Sequence, residues 1–364
     1  MGVVLFENKS DCRACGACLN VCSKSAISMK PDADGFLYPE IDPNKCVECG
    51  VCKYKTSDLN AVESTYAVTN RDEKQIMKAA SGGLFSAAAS AILSDGWCVF
   101  GATLTFDSGH PDTHHIMVEN KEELWKLQGS KYVQSRIGRT YQQAKECLQN
   151  GRTVLFSGTP CQIAGLKSYL GKVYENLYTM DLICHGVPSA EFFDGYIQEL
   201  NKKYRGKVTE YKFRDKTKGW GMNTAFEIVR GDKKTTIFKT AKVQSYLSLF
   251  YDCKIFRENC YSCPYAGSSR VGDMTIGDYW GIENEHPELD HTQFVEVLPN
   301  TGTSSRNQSI LELTGLTDRI VRDLNDFSYI DQEIDFKEAN EKIGTSRIES
   351  IRILEEMLAE QIGI

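Results

Sequence analysis

Short apolar runs alternate with amphipathic stretches along the centre of the chain. The runs at residues 96–101, 152–157 and 177–183 are largely apolar and have turn residues nearby, which indicates buried strands. Helices are predicted around them by amphipathic stretches at residues 83–94, 135–150, 161–170 and 190–203. Strand and helix in alternation predict an α/β fold with parallel strands.

The two ends of the chain follow other patterns. Residues 26–29 predict a short strand and residues 32–35 a turn, in a region with little apolar content. Strand-like runs recur over residues 207–239, and residues 306–364 predict an amphipathic helical extension whose apolar positions form a docking surface. We therefore expect a small α+β module at 1–60, a larger α/β domain at 61–305 and a helical extension at 306–364.

Composition excludes several classes of protein. The 364 residues carry 42 Lys and Arg against 49 Asp and Glu, a net charge of −7, which leaves no basic surface for nucleic acid. The longest near-apolar run, residues 82–93, is well short of the roughly 20 residues of a membrane span. The N-terminal sequence has no signal-peptide pattern, so we expect a cytoplasmic protein.

Cysteine spacing is the strongest chemical signal. Half of the 14 cysteines occur in two runs within the first 52 residues: Cys12, Cys15, Cys18 and Cys22 in the first run, and Cys46, Cys49 and Cys52 in the second. Three cysteines at two-residue spacing followed by a fourth is the pattern of bacterial ferredoxins. Structural zinc is the alternative, although zinc sites usually pair two such knuckles.

The second run lacks its fourth cysteine, because Thr56 stands where that residue is expected. In such modules the fourth cysteine of each run binds the other cluster. Cys22 would then complete the cluster of the second run, and the first three cysteines of the first run would lack a fourth thiolate. A three-iron cluster, a four-iron cluster with an oxygen ligand and a degraded site all remain open.

Small polar residues follow the predicted strands. Ser81-Gly82-Gly83 precedes a helix, and residues 157–162 and 184–189 each follow a strand and carry one cysteine, Cys161 and Cys184. Ligands in open α/β sheets bind where strands end, so these joints predict one shared pocket. The glycines would let a phosphate reach backbone N–H groups at the helix start.

A third group of thiols comes late in the chain, at Cys253, Cys260 and Cys263. It fits another iron–sulfur cluster or a zinc site, with a fourth ligand from Cys161 or Cys184. The remaining thiols have no motif around them and are interpreted as ordinary core or helix residues: Cys98 and Cys147. Three histidines occur in a Gly/Pro/Asp-rich stretch and are interpreted as solvated loop residues: His110, His114 and His115.

Several of these motifs together resemble one family. Residues 81–83, 128–132, 158–162, 181–189 and 260–263, followed by Gly277-Asp278, are similar to the coenzyme F-420 hydrogenase/dehydrogenase beta-subunit family. The likeness covers nearly the whole chain, the ferredoxin-type module included. It implies an iron–sulfur flavoprotein that binds FAD in the larger domain.

The resemblance also implies which residues form the sites. The residues expected at FAD are Ser81, Gly82, Gly83, Gly129, Ser130, Lys131, Tyr132, Gly158, Thr159, Pro160, Gln162 and Gly186. The cluster beside the flavin would be held by Cys161, Cys253, Cys260 and Cys263, with Cys184 as the rival for the fourth place. Lys131 would pair with a flavin phosphate or with negative charge on reduced flavin. His185 is either a proton donor or a hydrogen-bonded turn histidine.

The expected activity is oxidoreduction. A donor such as reduced ferredoxin would supply electrons, which 4Fe-4S clusters relay to FAD and on to coenzyme F-420 or another organic acceptor. The chain would act as a homo-oligomer or within a redox complex. The alternatives are a non-catalytic electron-transfer subunit of a larger complex and a zinc-stabilised binding protein.

Overall fold

The structure, a computed structural model, describes residues 3–53, 59–60, 64–70, 72–240, 245–267, 269–278 and 293–297. Thr56 and the helical extension predicted at 306–364 lie outside these residues.

The described elements follow the chain in a βαβ-rich order. The helices are α1 (Ala17–Val21), α2 (Glu73–Lys78), α3 (Leu84–Ser94), α4 (Thr140–Gln149), α5 (Pro160–Leu170), α6 (Ala190–Tyr204) and α7 (Ser245–Tyr251). The strands are β1 (Ile27–Pro31), β2 (Leu37–Ile41), β3 (Ser64–Val68), β4 (Cys98–Asp107), β5 (His110–Val118), β6 (Val154–Ser157), β7 (Leu177–Leu182), β8 (Lys207–Lys212), β9 (Asn223–Arg230), β10 (Lys233–Thr240), β11 (Met274–Asp278) and β12 (Gln293–Val297). Short 3-10 turns cover Lys9–Asp11, Lys121–Lys126 and Glu258–Ser262.

The central sheet has the strand order β3-β12-β11-β7-β6-β4-β5. Its four middle strands, β11, β7, β6 and β4, pair in parallel, whereas β5 and β12 run antiparallel to their neighbours. The α/β fold class is confirmed, and the apolar runs predicted three of the four parallel strands, β4, β6 and β7. The fourth, β11, was not predicted. The carboxyl ends of these parallel strands lie at one edge of the sheet.

Two apolar layers cover this sheet. On one face α3 packs through Leu84 and Ile92 against the strands. On the other face α4 and α5 pack against Phe100 and Phe156, and Ala17 of α1 belongs to the same buried cluster. The N-terminal segment thus shares a hydrophobic core with the central sheet.

A smaller antiparallel sheet, in the order β10-β9-β8, packs with α6 and α7. Its core is aromatic: Phe193, Phe213 and Tyr246 are buried and in ring contact. In the N-terminal segment β1 and β2 form an antiparallel hairpin with Ile27 opposite Ile41. Within the described ranges, none of the helices combines the length and apolar character that a membrane crossing requires.

Two expectations about residues 107–140 are wrong. The helix predicted from residue 135 begins only at Thr140, because the Arg136 N–H donates to the carbonyl of Thr113 and ties this segment to β5. The three histidines lie on β5 and not in a turn. His115 points inward and is only 5% exposed, so it is not a solvated residue. The alternation along β5 places His110 and His114 on the more exposed face.

Candidate functional site

The seven N-terminal thiols form two groups. The outer thiols are those of Cys22, Cys46, Cys49 and Cys52. Burial raises the pKa of Cys52, and the neighbouring thiols of the outer group raise it further. Cys22 of the first run therefore meets the second run, as crossed ligation requires.

The inner thiols are those of Cys12, Cys15 and Cys18. Burial raises the pKa of Cys15 to about 11, and burial together with the two neighbouring thiols raises that of Cys18 to about 12. A small cavity of about 50 Å³ is lined by these three residues and by Cys52 of the outer group. Crowded thiols of this kind stay protonated alone but become thiolates when they bind a cation, which is the donor set that iron–sulfur clusters use.

The inner thiols contact α5 closely. A Cβ atom placed on Gly165 would lie 2.9 Å from Cys15 Cβ and 3.1 Å from Cys15 Sγ. The Tyr141 hydroxyl bridges the same joint, at 2.7 Å from the Cys15 carbonyl and 2.6 Å from the Gln162 carbonyl. Cys161 lies one helical turn before Gly165, so α5 carries the inner thiols on one side and a further thiol near its start.

A cavity of about 590 Å³ lies at the carboxyl ends of the parallel strands. Most of the residues that sequence motifs suggested line it: Ser81, Gly83, Gly129, Ser130, Lys131, Tyr132, Gly158, Thr159, Cys161, Gln162, Cys184, His185 and Gly186. Of the residues expected at FAD, two do not line it, namely Gly82 and Pro160, and Pro160 is buried at the first position of α5. Among the expected cluster ligands, Cys253, Cys260 and Cys263 do not line it either. The cavity is of the size that small-molecule and cofactor sites have.

The Ser81–Gly83 turn forms one wall of this cavity. Gly83 has φ +84° and precedes the first residue of α3, so the positive end of this helix faces the turn. The Lys216 ammonium holds the turn from behind by donating to the Ser81 carbonyl at 2.7 Å. The Ser81 hydroxyl is buried and has no hydrogen-bond partner among the described residues. A buried unpaired hydroxyl at a helix start suits a phosphate oxygen.

Lys131 is a half-buried lysine in the cavity wall. Its Nζ atom donates to the carbonyls of Leu127 and Gln128 at 2.9 and 2.8 Å, and burial lowers its pKa to about 7. A bound anion would favour the charged form of this side chain.

His115 is a cavity residue that sequence reasoning missed. Burial lowers its pKa to about 4, so the ring is neutral near pH 7. Its Nε2–H donates to the Ser157 carbonyl at 3.1 Å, which leaves Nδ1 to accept from the Ser135 hydroxyl, also at 3.1 Å. The sequence of residues 110–118 has no polar–apolar alternation that would have marked it as buried.

Gln162 makes its hydrogen bonds within the protein. Its Oε1 accepts from the Thr159 N–H at 3.0 Å, and its Nε2 donates to the carbonyl and hydroxyl of Ser135. It therefore fixes the start of α5 at the cavity edge.

Arg214 and Asp278 form an ion pair of 2.7 Å in the opposite wall, with the Arg214 side chain 3% exposed. Arg214 also reaches the Tyr132 hydroxyl at 3.3 Å, and Tyr132 stacks on Phe250. No sequence motif singled out Arg214, because its partners come from distant strands.

His185 lies between aromatic rings at the far end of the cavity. Its Nε2 atom is 3.2 Å from Cys253 Sγ, and its ring contacts Phe250 and Phe256. Gly186 has φ +142°, and a Cβ atom there would lie 2.4 Å from the Phe256 ring. Any larger residue at 186 would displace that ring.

A third group of thiols surrounds Cys161. Burial raises the pKa of Cys161, and the nearby thiols of Cys263, Cys184 and Cys260 raise it further. Cys253 instead contacts His185 and the Tyr251 carbonyl. None of the 14 cysteines, all of which are described, forms a disulfide. Across the described part of the chain, no three His, Cys, Asp or Glu side chains are arranged to hold a single metal ion.

Comparisons with known proteins agree with the geometry. Residues 151–312 match the model for the C terminus of the coenzyme F420 hydrogenase/dehydrogenase beta subunit, and residues 11–55 match the 4Fe-4S dicluster domain. Ketoisovalerate oxidoreductase subunit VorC of Methanothermobacter marburgensis is 33% identical over 58 residues, 15% of this chain and 73% of VorC. A chain of the F420-reducing [NiFe] hydrogenase complex from Methanosarcina barkeri aligns with 83% of this chain and 92% of its own length, at 14% identity and a TM-score of 0.44.

One family match covers the N-terminal cysteine runs, and the other covers the motifs from residue 158 onward. Together they confirm the resemblance. Residues 151–312 therefore belong to the C-terminal region of the coenzyme F420 hydrogenase/dehydrogenase beta-subunit family, and residues 11–55 form an iron–sulfur dicluster domain.

Proposed function

We propose that the protein is an iron–sulfur flavoprotein oxidoreductase that binds FAD in the 590 Å³ cavity. The observation that carries this proposal is that the glycine-rich joints, the half-buried Lys131 and the thiols of Cys161 and Cys184 line one cavity. We also propose that residues 1–60, 61–305 and 306–364 are the cluster-binding, flavin-binding and C-terminal regions.

The Ser81–Gly83 turn would hold the phosphates of FAD. It offers the unpaired Ser81 hydroxyl, the positive end of α3 and the approach of backbone that Gly83 permits. Lys131 would supply a positive charge, because an adjacent phosphate raises the fraction of charged ammonium.

FAD, when bound, supplies exchange between one-electron carriers and a two-electron organic acceptor. The chain's own residues would shape that exchange. The neutral His115 and the paired Gln162 keep the start of α5 fixed, and the Arg214–Asp278 pair fixes the opposite wall. His185, which lines the cavity, is our candidate for proton exchange with the acceptor.

The thiol groups follow an order from the protein surface to the cavity. Cys49 of the outer thiols is exposed, the inner thiols contact α5, and Cys161 lines the cavity. This order supports a reduced ferredoxin or similar carrier as the donor at the outer group, and a small organic molecule such as a deazaflavin as the acceptor at the cavity.

We propose that a third cluster is held by four thiols, those of Cys161, Cys184, Cys260 and Cys263. The thiols of Cys184, Cys260 and Cys263 lie close enough to Cys161 to raise its pKa. Cys253 is the rival ligand. Iron counts on Cys184→Ser and Cys253→Ser distinguish the two sets, since only the true ligand loses cluster iron.

Anaerobic purification with flavin, iron and sulfide measured per chain tests the proposed function. We expect close to one FAD released on denaturation. Ser81→Ala should weaken FAD binding about 10-fold or more, because it removes a hydrogen bond to a charged group. Ser94→Ala, at the exposed end of the same helix, is the matched control. Protein that neither retains nor rebinds FAD would refute the flavin assignment.

A second function is favoured by the similarity to VorC, which is by its name one subunit of an oxidoreductase. The protein would then pass electrons within a complex without its own substrate. Turnover of an organic acceptor by the isolated, FAD-loaded chain with a chemical reductant distinguishes the two: turnover supports the enzyme, and cluster reduction without turnover supports the electron-transfer role.

A further inference from the structure

Arg257 is a fully buried cation between the inner thiols and the loop that carries Cys253, Cys260 and Cys263. Its backbone is held on both sides: its N–H donates to the Val187 carbonyl at 3.0 Å, and its carbonyl accepts from the Cys260 N–H at 2.8 Å. The side chain leaves this loop and reaches the N-terminal module. Arg257 therefore lies between two groups of thiols that are far apart in sequence.

The guanidinium group reaches the backbone of the first inner cysteine. Nε donates to the Cys12 carbonyl at 2.9 Å, and the group stacks on the Tyr38 ring at 4.0 Å. Nη1 lies 3.5 Å from Gln134 Oε1. Nη2 is buried and has no hydrogen-bond partner in the described part of the chain.

No carboxylate of a described residue forms an ion pair with Arg257. A buried charge without a counter-charge is costly, so a group of opposite charge is expected beside it. The neighbouring Arg13 repeats the pattern: its Nε is buried and unpaired within the described residues, and it stacks on Tyr265. Among the described residues, two cations that form no ion pair with a carboxylate thus lie close to Cys12.

An iron–sulfur cluster held by the inner thiols would supply the missing negative charge. Each thiolate contributes one negative charge, and one-electron reduction makes the cluster more negative still. A fixed cation beside the site favours the reduced form, because cluster potentials depend on net charge and on hydrogen bonds around sulfur.

We propose that Arg257 is the counter-charge of the inner cluster and raises its reduction potential. The proposal rests on the inner cluster and is independent of the flavin. Its consequence is directional: an electron arriving at the exposed outer thiols is drawn inward, toward α5 and the cavity.

Potentiometric titration with dithionite, followed by EPR on the anaerobically loaded full chain, tests this role. Arg257→Gln should shift the reduction equilibrium of the inner cluster at least 10-fold toward the oxidised form, about 59 mV for a one-electron couple. Arg257→Lys, which keeps the charge, should shift it much less. The outer cluster serves as an internal reference and should move less than the inner one.

Two further variants separate charge from packing. Gln134→Glu places a carboxylate opposite Nη1 and should lower the inner potential while Arg257 stays in place. Tyr38→Leu removes the stacked ring but keeps the charge, and should leave the potential nearly unchanged. If Arg257→Gln does not retain the inner cluster, the inner reduction potential measured in Gln134→Glu tests the role of the Arg257 charge instead.

The proposal is overturned if Gln134→Glu leaves the inner potential at its wild-type value. It is equally overturned if Tyr38→Leu shifts the potential as much as the charge-removing variants, because Arg257 would then serve only to attach the N-terminal module.

Discussion

Gly165→Ala tests the close contact between the inner thiols and α5. The new Cβ atom would lie 2.9 Å from Cys15 Cβ and 2.9 Å from the Tyr141 hydroxyl. Neither neighbour can move cheaply, because Tyr141 is fully buried and its hydroxyl bridges two carbonyls. Either Cys15 must shift or α5 must move away from the N-terminal module.

Two effects oppose each other in this variant. Replacing glycine by alanine within a helix stabilises it by about 0.5–1 kcal/mol, whereas overpacking a buried site costs about 1–3 kcal/mol. Gly195→Ala in α6 is the matched control, because Gly195 is an exposed helical glycine whose Cβ atom would meet nothing within 4 Å. The helix-propensity gain cancels between the two variants, so Gly165→Ala should be less stable by about 1–3 kcal/mol.

Anaerobic calorimetry and iron analysis measure this difference. We expect Gly195→Ala to raise the Tm by about 2 °C, and Gly165→Ala to lower it and to lose iron from the inner cluster. EPR of the inner cluster shows whether Cys15 has moved. If both variants are equally stable and keep the same iron content and EPR spectrum, Cys15 does not pack against α5 as described.

Three other predictions follow from ionisable groups inside the protein. Asp181→Ala removes the carboxylate that pairs with the buried Arg270 and should lower the free energy of unfolding by about 3–5 kcal/mol. The control Asp252→Ala, at an exposed ion pair, should change the free energy of unfolding by less than about 1 kcal/mol. Equal effects of the two variants would contradict the buried pair. The folded pKa of Lys131, about 7, lies below its unfolded value, so the unfolded chain holds more protons above pH 7 and stability should rise from pH 7 to 9 by up to about 1.4 kcal/mol per pH unit. Denaturation curves of Lys131→Met should lack this rise, and parallel pH dependences of the two proteins would refute the burial of the ammonium. The folded pKa of His115, about 4, is also lowered, so stability should fall as the pH drops from about 6.5 toward 4, and His115→Gln should reduce this fall; an unchanged acid dependence would argue against a neutral buried ring.

Local signals were enough to predict several of the elements that position the cavity, although not β5 or β11. α5 shows why: Thr159 precedes the helix, Pro160 is its first residue, Gln162 accepts from the Thr159 N–H, and Gly171 ends it at φ +65°. The β6 and β7 strands were visible as apolar runs because both of their faces are buried.

Long-range contacts could not be predicted in the same way. Arg257 contacts Cys12 across 245 positions of sequence, and Arg214 meets Asp278 across 64. Their importance depends on burial by elements from elsewhere in the chain, and no short motif records that. His115 was misread for the same reason, since a Gly- and Pro-containing stretch indicates a turn unless a neighbouring strand pairs with it.

The shared core of α1 and α5 has a consequence for how electrons travel. Ala17 is buried in the same apolar cluster as Phe156 and Ile163, so the cluster module is part of the sheet's packing and is not a tethered carrier. When a mobile domain carries electrons between donor and acceptor, the rate of electron transfer falls as the viscosity of the solvent rises. Conduction through this protein should be indifferent to viscosity, with its speed set by the fixed spacing between sites.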